Sequence, residues 1–220
     1  MGILVKICGI NSAEAADAAA RARADLAGLV FHPKSPRHLS LEAARALAGR
    51  LRGKLRLVAL LSDANDETVG AVLRAVTPDF LQLHGSETPE RVGQLRARFG
   101  APVIKAIAVA EAADFAAIPD YEAVADMLLF DAKAPVGAAR QGGHGAAFDW
   151  QLLRGRKFSR PWLLAGGLHP GNVARALAVS GAPGVDVSSG VESAPGVKDV
   201  QLIADFVSAA RNAKFAEARS

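Results

Sequence analysis

The chain has 220 residues, of which 50% are hydrophobic and 22% are charged, as expected for a globular protein with a sizeable core. Its single cysteine excludes an intrachain disulfide and gives no reason to expect secretion. The sequence shows no basic-then-apolar leader and no run of about 18 apolar residues, which argues against a signal peptide and a membrane span. We therefore expect a cytoplasmic protein.

The charge balance is mildly positive, with 26 basic and 22 acidic residues, a net charge of +4 and a pI near 9.5. A nucleic-acid-binding protein would concentrate this excess in a basic stripe, whereas the arginines here are scattered over predicted helix faces. Aromatic residues make up only 5% of the chain and leave little for base stacking. The charge therefore favours a small anionic ligand over nucleic acid.

Short apolar runs alternate along the whole chain with longer helix-like segments. The runs predicted to be strands are 3–8, 26–31, 55–61, 80–84, 103–107, 127–131, 162–165 and 185–187. The segments predicted to be helical are 12–23, 40–51, 67–76, one from Thr88, a weak one at 111–117 closed by Pro119, a short one from Asp149, 170–179 and 198–214. Residues 132–147 break this rhythm.

Strand, crossover helix and strand, repeated without a hairpin, require a parallel sheet. Eight such units most simply close into a single-domain (β/α)8 TIM barrel, which we expect to span residues 1–220. The alternative is an open doubly wound sheet. That fold usually shows a glycine fingerprint after its first strand, and none is present here.

The active site of such a barrel lies at the C-terminal ends of the strands. Polar side chains and one glycine pair lie at the predicted strand ends and in the loops that follow. They are Cys8, His32, Lys34, Ser35, Arg37, Asp63, Gln82, His84, Asp131, Lys133, Gly166, Gly167, Asp186, Ser188 and Ser189. Lys6 and Cys8 share one face of the first strand, which suits the wall of a polar cavity. A buried cysteine beside a snorkelling lysine is the structural alternative.

Two glycine-containing loops follow the seventh and eighth predicted strands. Gly166-Gly167 and Ser188-Ser189-Gly190 let backbone N–H groups approach a ligand closely, and barrels commonly hold a phosphate at this position. We therefore predict that these five residues bind a phosphate. Two ordinary glycine turns are the alternative.

Three other strand ends have side chains that are candidates for binding or catalysis. Arg37, in a proline-bracketed loop, offers a planar fork for a carboxylate, with a solvated loop arginine as the alternative. Asp131 ends an apolar run and suits general-acid work, although a helix cap or a salt bridge to Lys133 is also open. His84 and Gln82 share a face and are candidate substrate contacts, with a structural histidine as the alternative.

The five histidines show no metal-ligand spacing, so we predict no metal. The glycines of residues 141–145 suggest a lid loop over the mouth of the barrel.

The ordered set of motifs resembles the phosphoribosylanthranilate isomerase family along essentially the whole chain. The motifs are Val5-Lys6-Ile7-Cys8-Gly9-Ile10, Gly28-Leu29-Val30-Phe31, Ser35-Pro36-Arg37, Leu81-Gln82-Leu83-His84-Gly85, Leu129-Phe130-Asp131-Ala132-Lys133, Gly142-Gly143-His144-Gly145, Phe148-Asp149-Trp150, Leu164-Ala165-Gly166-Gly167-Leu168 and Val185-Asp186-Val187-Ser188-Ser189-Gly190-Val191-Glu192. One departure is Ala132, where many relatives carry a hydroxyl residue after the acid.

The resemblance implies a cofactor-free Amadori rearrangement of N-(5-phosphoribosyl)anthranilate, the third step from anthranilate towards tryptophan. Asp131 would protonate the furanose ring oxygen and Cys8 would remove the C2′ proton. Arg37 would hold the anthranilate carboxylate, the two loops would hold the phosphate, and Asp186 would orient substrate or loop. Lys6, on the same strand face as Cys8, is expected to favour the thiolate.

Two alternative functions stay open. One is that of another phosphate-binding barrel enzyme, such as an indole-glycerol-phosphate synthase or a ribulose-phosphate epimerase, and the other is that of a non-catalytic sugar-phosphate sensor. The synthase would need a longer chain and a catalytic lysine–glutamate set, and the epimerase would need metal ligands at its strand ends. The sensor would not need Cys8 and Asp131 together. For assembly we expect a monomer, with a homodimer as the alternative.

Overall fold

A computed structural model describes residues 2–133 and 147–213 of the chain. Its eight parallel strands form a closed barrel in sequence order, and each strand pairs with the next until β8 returns to β1. The strands are β1 Leu4–Cys8, β2 Leu26–Val30, β3 Arg56–Leu61, β4 Phe80–Leu83, β5 Val103–Val109, β6 Met127–Ala132, β7 Trp162–Leu164 and β8 Gly184–Val187. The predicted (β/α)8 barrel is confirmed.

Seven α-helices are found in the described part of the chain. They are α1 Ala13–Arg21, α2 Leu41–Leu51, α3 Asp66–Val76, α4 Pro89–Phe99, α5 Ile118–Val124, α6 Val173–Ser180 and α7 Val200–Arg211. Several begin where the sequence supplies a cap, because Ser12, Ser40, Asn65 and Thr88 each accept a hydrogen bond from the backbone N–H three residues on. None of these helices is long and apolar enough to cross a bilayer.

The segment between β5 and β6 differs from the prediction. A 3₁₀ turn at Ala112–Phe115 replaces most of the expected helix, and α5 begins at Ile118. Pro119 lies in the first turn of α5, so the prediction that it closes a helix is wrong. A proline has no N–H to donate, and in the first turn none is required.

Two further differences follow β6 and β8. Within the described residues, the segment before β7 contains only the 3₁₀ turn Trp150–Leu153, and the predicted lid at 141–145 lies outside the described residues. After β8, a 3₁₀ turn at Ser189–Val191 leads into an antiparallel hairpin of β9 Glu192–Ala194 and β10 Val197–Lys198. Lys198 was expected in the last helix, which starts instead at Val200.

The core has two layers because strand side chains alternate between the inside and the outside of the barrel. A large cluster, including Val5, Ile7 and Phe206, fills the space between the barrel and the helices. A smaller cluster inside the barrel includes Leu26, Ile104 and Leu129. Lys6 and Cys8 alternate with Val5 and Ile7 and therefore face the barrel interior.

Candidate active site

Lys6, Cys8 and Asp186 form a buried polar group at the junction of β1 and β8. The strand register pairs Lys6 with Asp186, and their Nζ and Oδ1 atoms are 2.9 Å apart. Lys6 is fully buried and Cys8 is only 4% exposed. Lys6 therefore does not snorkel to solvent, and its ammonium is held at the wall of the barrel interior.

The two ionisable groups of β1 have shifted pKa values. Burial raises the pKa of the Cys8 thiol above its ordinary value, the charge of Lys6 acts in the opposite direction, and the Asp186 carboxylate adds to the rise. Burial alone would lower the pKa of Lys6, but the charges of Asp186 and Cys8 outweigh it and keep that pKa above its ordinary value. The charge of Lys6 thus acts in favour of the thiolate without outweighing burial, and its role in tuning Cys8 stays a prediction.

Arg37 is held by a carboxylate that the sequence did not single out as a site residue. Its Nε and Nη2 atoms donate to Glu192 Oε1 and Oε2 at 2.6 and 2.7 Å, which uses two of the five guanidinium N–H donors. Arg37 is 5% exposed, so the reading of a solvated loop arginine is wrong. The fork predicted to bind a carboxylate already carries one from the β9 strand.

Lys198, at the end of β10, completes this group. Its Nζ lies 2.7 Å from Glu192 Oε1 and 2.8 Å from the carbonyl oxygen of Ser188, and its side chain is fully buried. Burial by itself would raise the pKa of Glu192, but Arg37 and Lys198 lower it to about 2. Burial lowers the pKa of Lys198 despite the opposing charge of Glu192.

Asp131, Gln82 and His84 form a hydrogen-bonded row across β4 and β6. Gln82 Nε2 lies 2.9 Å from His84 Nδ1, and His84 Nε2 lies 3.1 Å from Asp131 Oδ2. The second carboxylate oxygen, Oδ1, accepts the backbone N–H of Ala132 at 2.8 Å. The backbone therefore supplies a hydrogen bond to the acid at the position where the side chain of Ala132 supplies none.

The neighbours of Asp131 decide one of the alternatives left open by the sequence. Lys133 pairs with Asp114 at 3.2 Å, so the proposed salt bridge between Asp131 and Lys133 is not formed. His84 contacts the predicted acid directly. A cavity of about 20 Å³ adjoins the pair, which is room for about one water molecule.

The loops after β7 and β8 lie close to each other and to the acid. A Cβ atom on Gly166, whose φ is +84°, would lie 2.7 Å from the Ala132 nitrogen and 3.2 Å from Asp131 Oδ1. A Cβ atom on Gly190 would overlap the carbonyl oxygen of Leu168. These two glycines are required by close approach of the backbones, which brings the predicted phosphate loops together beside Asp131.

A further buried ion pair supports the turn that follows β4. Lys105 Nζ donates to Glu87 Oε2 at 2.8 Å and to the carbonyl oxygen of Gly85 at 2.7 Å, and both side chains are almost fully buried. Gly85 directly follows His84, so this pair fixes the backbone that presents the histidine. Across residues 2–133 and 147–213, no group of three or more His, Cys, Asp or Glu side chains is arranged to hold a metal ion.

Comparison with known proteins identifies the family of the chain. A family model described as N-(5'phosphoribosyl)anthranilate (PRA) isomerase matches residues 5–209. An N-(5'-phosphoribosyl)anthranilate isomerase of Rhodopseudomonas palustris (strain BisB5) is 53% identical over 211 residues, which cover 96% of this chain and 97% of the relative. The chain belongs to the phosphoribosylanthranilate isomerase family.

Solved phosphoribosylanthranilate isomerases have the same fold. The enzyme from Thermotoga maritima matches with a TM-score of 0.84 and 37% identity, covering 94% of this chain and 98% of that one. An isomerase in complex with reduced 1-(o-carboxyphenylamino)-1-deoxyribulose 5-phosphate matches with a TM-score of 0.81 and 34% identity over the same shares. The resemblance read from the sequence is confirmed, together with the aldose–ketose isomerase activity in tryptophan biosynthesis.

Sequence reasoning missed Glu192, Lys198 and the Lys105–Glu87 pair as parts of this isomerase site. The signal for the first two was the dipeptide Pro195-Gly196, which predicts a turn and hence a hairpin after the eighth strand. No pattern marked Lys105, because a single lysine in an apolar strand is read as an outward-facing or snorkelling residue.

Proposed function

We propose that the mouth of the barrel carries out the Amadori rearrangement of N-(5′-phosphoribosyl)anthranilate without a cofactor, with Asp131 as general acid and Cys8 as general base. The observation that carries the proposal is the placement of both groups at the C-terminal ends of strands of one closed barrel, β6 and β1. Each is nearly buried and each has a polar partner, His84 or Lys6. Such environments suit groups that move protons.

In the first step the carboxyl of Asp131 protonates the furanose ring oxygen. The C1′–O bond then breaks, its electrons go to the oxygen, and the nitrogen lone pair forms a protonated Schiff base at C1′. The ring oxygen becomes the C4′ hydroxyl. Asp131 ends the step as a carboxylate, which the hydrogen bonds from Ala132 N–H and from the His84 ring stabilise.

In the second step the Cys8 thiolate removes the proton from C2′. The electrons of that C–H bond form the C1′–C2′ double bond and neutralise the nitrogen, giving an enol. The C2′ hydroxyl then gives its proton to water and C1′ takes one from water, which gives 1-(2-carboxyphenylamino)-1-deoxyribulose 5-phosphate. Cys8 releases its proton to solvent and Asp131 takes one up, so both groups return to their starting forms. The product has the same atoms as the substrate, so the reaction needs no oxidant, reductant or further reactant.

Substrate binding uses the two anionic ends of the molecule. The edge of the Arg37 guanidinium that does not face Glu192 would take the anthranilate carboxylate, because a second pair of N–H donors lies along that edge. The phosphate would lie between the Gly166-Gly167 loop and the Ser188–Gly190 loop, whose close approach supports one shared site. Gln82 and His84 would act through Asp131, and Asp186 would act through Lys6.

The test is turnover of freshly made N-(5′-phosphoribosyl)anthranilate by the purified chain. We expect the substrate fluorescence to fall in proportion to enzyme concentration, with and without a metal chelator, and the product to have the mass of the substrate. Binding of the reduced product analogue without any turnover would instead support a sugar-phosphate sensor. A product of different mass would favour another phosphate-binding barrel enzyme. A cytoplasmic location and a monomeric state stay predictions.

A further inference from the structure

A buried cluster of charges lies at the end of the barrel where β1 ends on Cys8. It comprises three cations and two carboxylates, contributed by β1, β8, the loop after β2 and the β9–β10 hairpin, and these are Lys6, Lys198, Arg37, Asp186 and Glu192. The side chains are at most 7% exposed. The cluster therefore holds one more positive than negative charge in a region where water screens little.

The backbone brings Lys198 to the end of β1. In the β1–β8 pairing Lys6 is level with Asp186 and Ile7 with Val187, and the residues that follow are Cys8, the last of β1, and Ser188, the first after β8. Neighbouring strands lie about 4.8 Å apart. The Lys198 ammonium is 2.8 Å from the Ser188 carbonyl oxygen and 3.4 Å from its hydroxyl oxygen, which places this cation near the end of β1, where Cys8 lies.

We propose that Lys198 is a positioning residue for the reaction: its ammonium supplies, in addition to Lys6, positive charge that helps Cys8 to ionise and act as the base. The inference rests on the proposed role of Cys8. Lys6 is the other nearby cation and acts more strongly on Cys8, but Asp186, at 2.9 Å from Lys6, opposes it. Lys198 shares Glu192 with Arg37, so two cations face one carboxylate and their surplus charge is available to a thiolate.

The direction of each electrostatic effect agrees with this assignment. Burial raises the pKa of Cys8, Lys6 and Lys198 both lower it, and Asp186 raises it. Burial lowers the pKa of Lys198, while the charges of Glu192 and, to a smaller extent, Cys8 act to raise it. The thiol and the β10 lysine are therefore close enough for each charge to act on the other.

The test uses the fact that Cys8 is the only cysteine of the chain, so thiolate absorbance and alkylation report on it alone. Thiolate formation is followed by ultraviolet absorbance against a Cys8→Ala blank, and by the rate of alkylation with iodoacetamide as a function of pH. Lys198→Gln removes the charge while keeping a donor towards Ser188 and Glu192. Lys198→Arg keeps the charge, and the exposed Lys157→Met serves as a matched surface control.

We expect Lys198→Gln to move the midpoint of thiolate formation up by about one pH unit or more. Lys198→Arg should stay near the wild type, and Lys157→Met should equal it. If Lys198→Gln does not fold, Lys198→Met takes its place. Equal midpoints in the uncharged and charged variants would overturn the inference, since a purely structural lysine would affect both alike.

The measurement needs no substrate and is therefore independent of the proposed function. A shifted midpoint in a chain that does not turn over N-(5′-phosphoribosyl)anthranilate would leave the electrostatic coupling standing and remove the isomerase chemistry. Turnover of the substrate with an unshifted midpoint would leave the isomerase chemistry standing and remove the proposed role of Lys198. In an active chain we also expect the acid-side limb of the pH–rate profile to move up in Lys198→Gln and to be restored in Lys198→Arg.

Discussion

Replacing Glu192 by glutamine tests how strongly the hairpin carboxylate holds the site together. The side chain is 3% exposed and accepts four hydrogen bonds, two from Arg37, one from Lys198 and one from the Gly196 backbone. Glutamine has nearly the same shape but no charge. The substitution therefore leaves two buried cations without their shared counter-ion, which is the costly way to break a buried pair.

The magnitude follows from the pKa of Glu192, which is lowered from 4.5 to about 2 in the folded protein. That difference corresponds to about 3 kcal/mol of unfolding free energy at neutral pH. Because the folded-state pKa lies below the unfolded one, this stabilisation is complete above the unfolded value of 4.5 and is lost as the pH falls towards about 2. We expect about 2 kcal/mol to remain near pH 3.5.

The assay is urea unfolding of the wild type and Glu192→Gln at several pH values from about 7 down to about 3.5, which compares the full linkage contribution at neutral pH with the part that is left in acid. Glu42→Gln, at an exposed carboxylate in the first turn of α2, is the matched control and should change little at any pH. A difference in unfolding free energy below about 1 kcal/mol at pH 7, or one that does not shrink on acidification, would refute the reasoning.

Two further predictions concern the base and the phosphate loops. Lys6→Met should raise the pH at which the Cys8 thiolate forms, because it removes the nearest positive charge, and unchanged alkylation kinetics would count against that role. Gly190→Ala should lower kcat/KM by about tenfold or more, because its Cβ would displace the loop from the carbonyl of Leu168. Gly49→Ala, inside α2 with open space around it, should leave turnover unchanged and raise the unfolding free energy by about 0.5–1 kcal/mol. Equal losses of activity in the two glycine variants would exclude the close-approach explanation.

The barrel could be predicted from the sequence because its pattern is repeated eight times and each repeat agrees with the next. A strand of a closed parallel barrel is buried on both faces and is therefore apolar along its length. Runs such as Leu57–Leu61 and Met127–Phe130 can be recognised as strands from their own sequence, without knowing which strands they pair with. The prediction failed where a single residue decided the structure. Pro119 reads as a helix end, yet it also fits a first turn, and local sequence does not separate the two.

The site was predicted in part for a similar reason. Cys8, Asp131 and the two glycine loops lie directly at strand ends, where the fold alone makes them candidates. Glu192 and Lys198 belong to a hairpin outside the strand–helix repeat, and their contacts with Arg37 join residues far apart in the chain. Long-range ion pairs of this kind leave no periodic signal. The same holds for the row of Gln82, His84 and Asp131, of which only the first two lie close in sequence.

The assignment of Asp131 as general acid and Cys8 as general base is tested most directly by turnover of N-(5′-phosphoribosyl)anthranilate in the wild type, Cys8→Ala and Asp131→Ala. Binding of reduced 1-(o-carboxyphenylamino)-1-deoxyribulose 5-phosphate is measured in parallel to show that each variant retains its site. We expect each variant to bind the analogue and to lose about 100- to 10 000-fold in kcat, as removal of a general acid or base does. Near-normal turnover in either variant would contradict the role assigned to that residue.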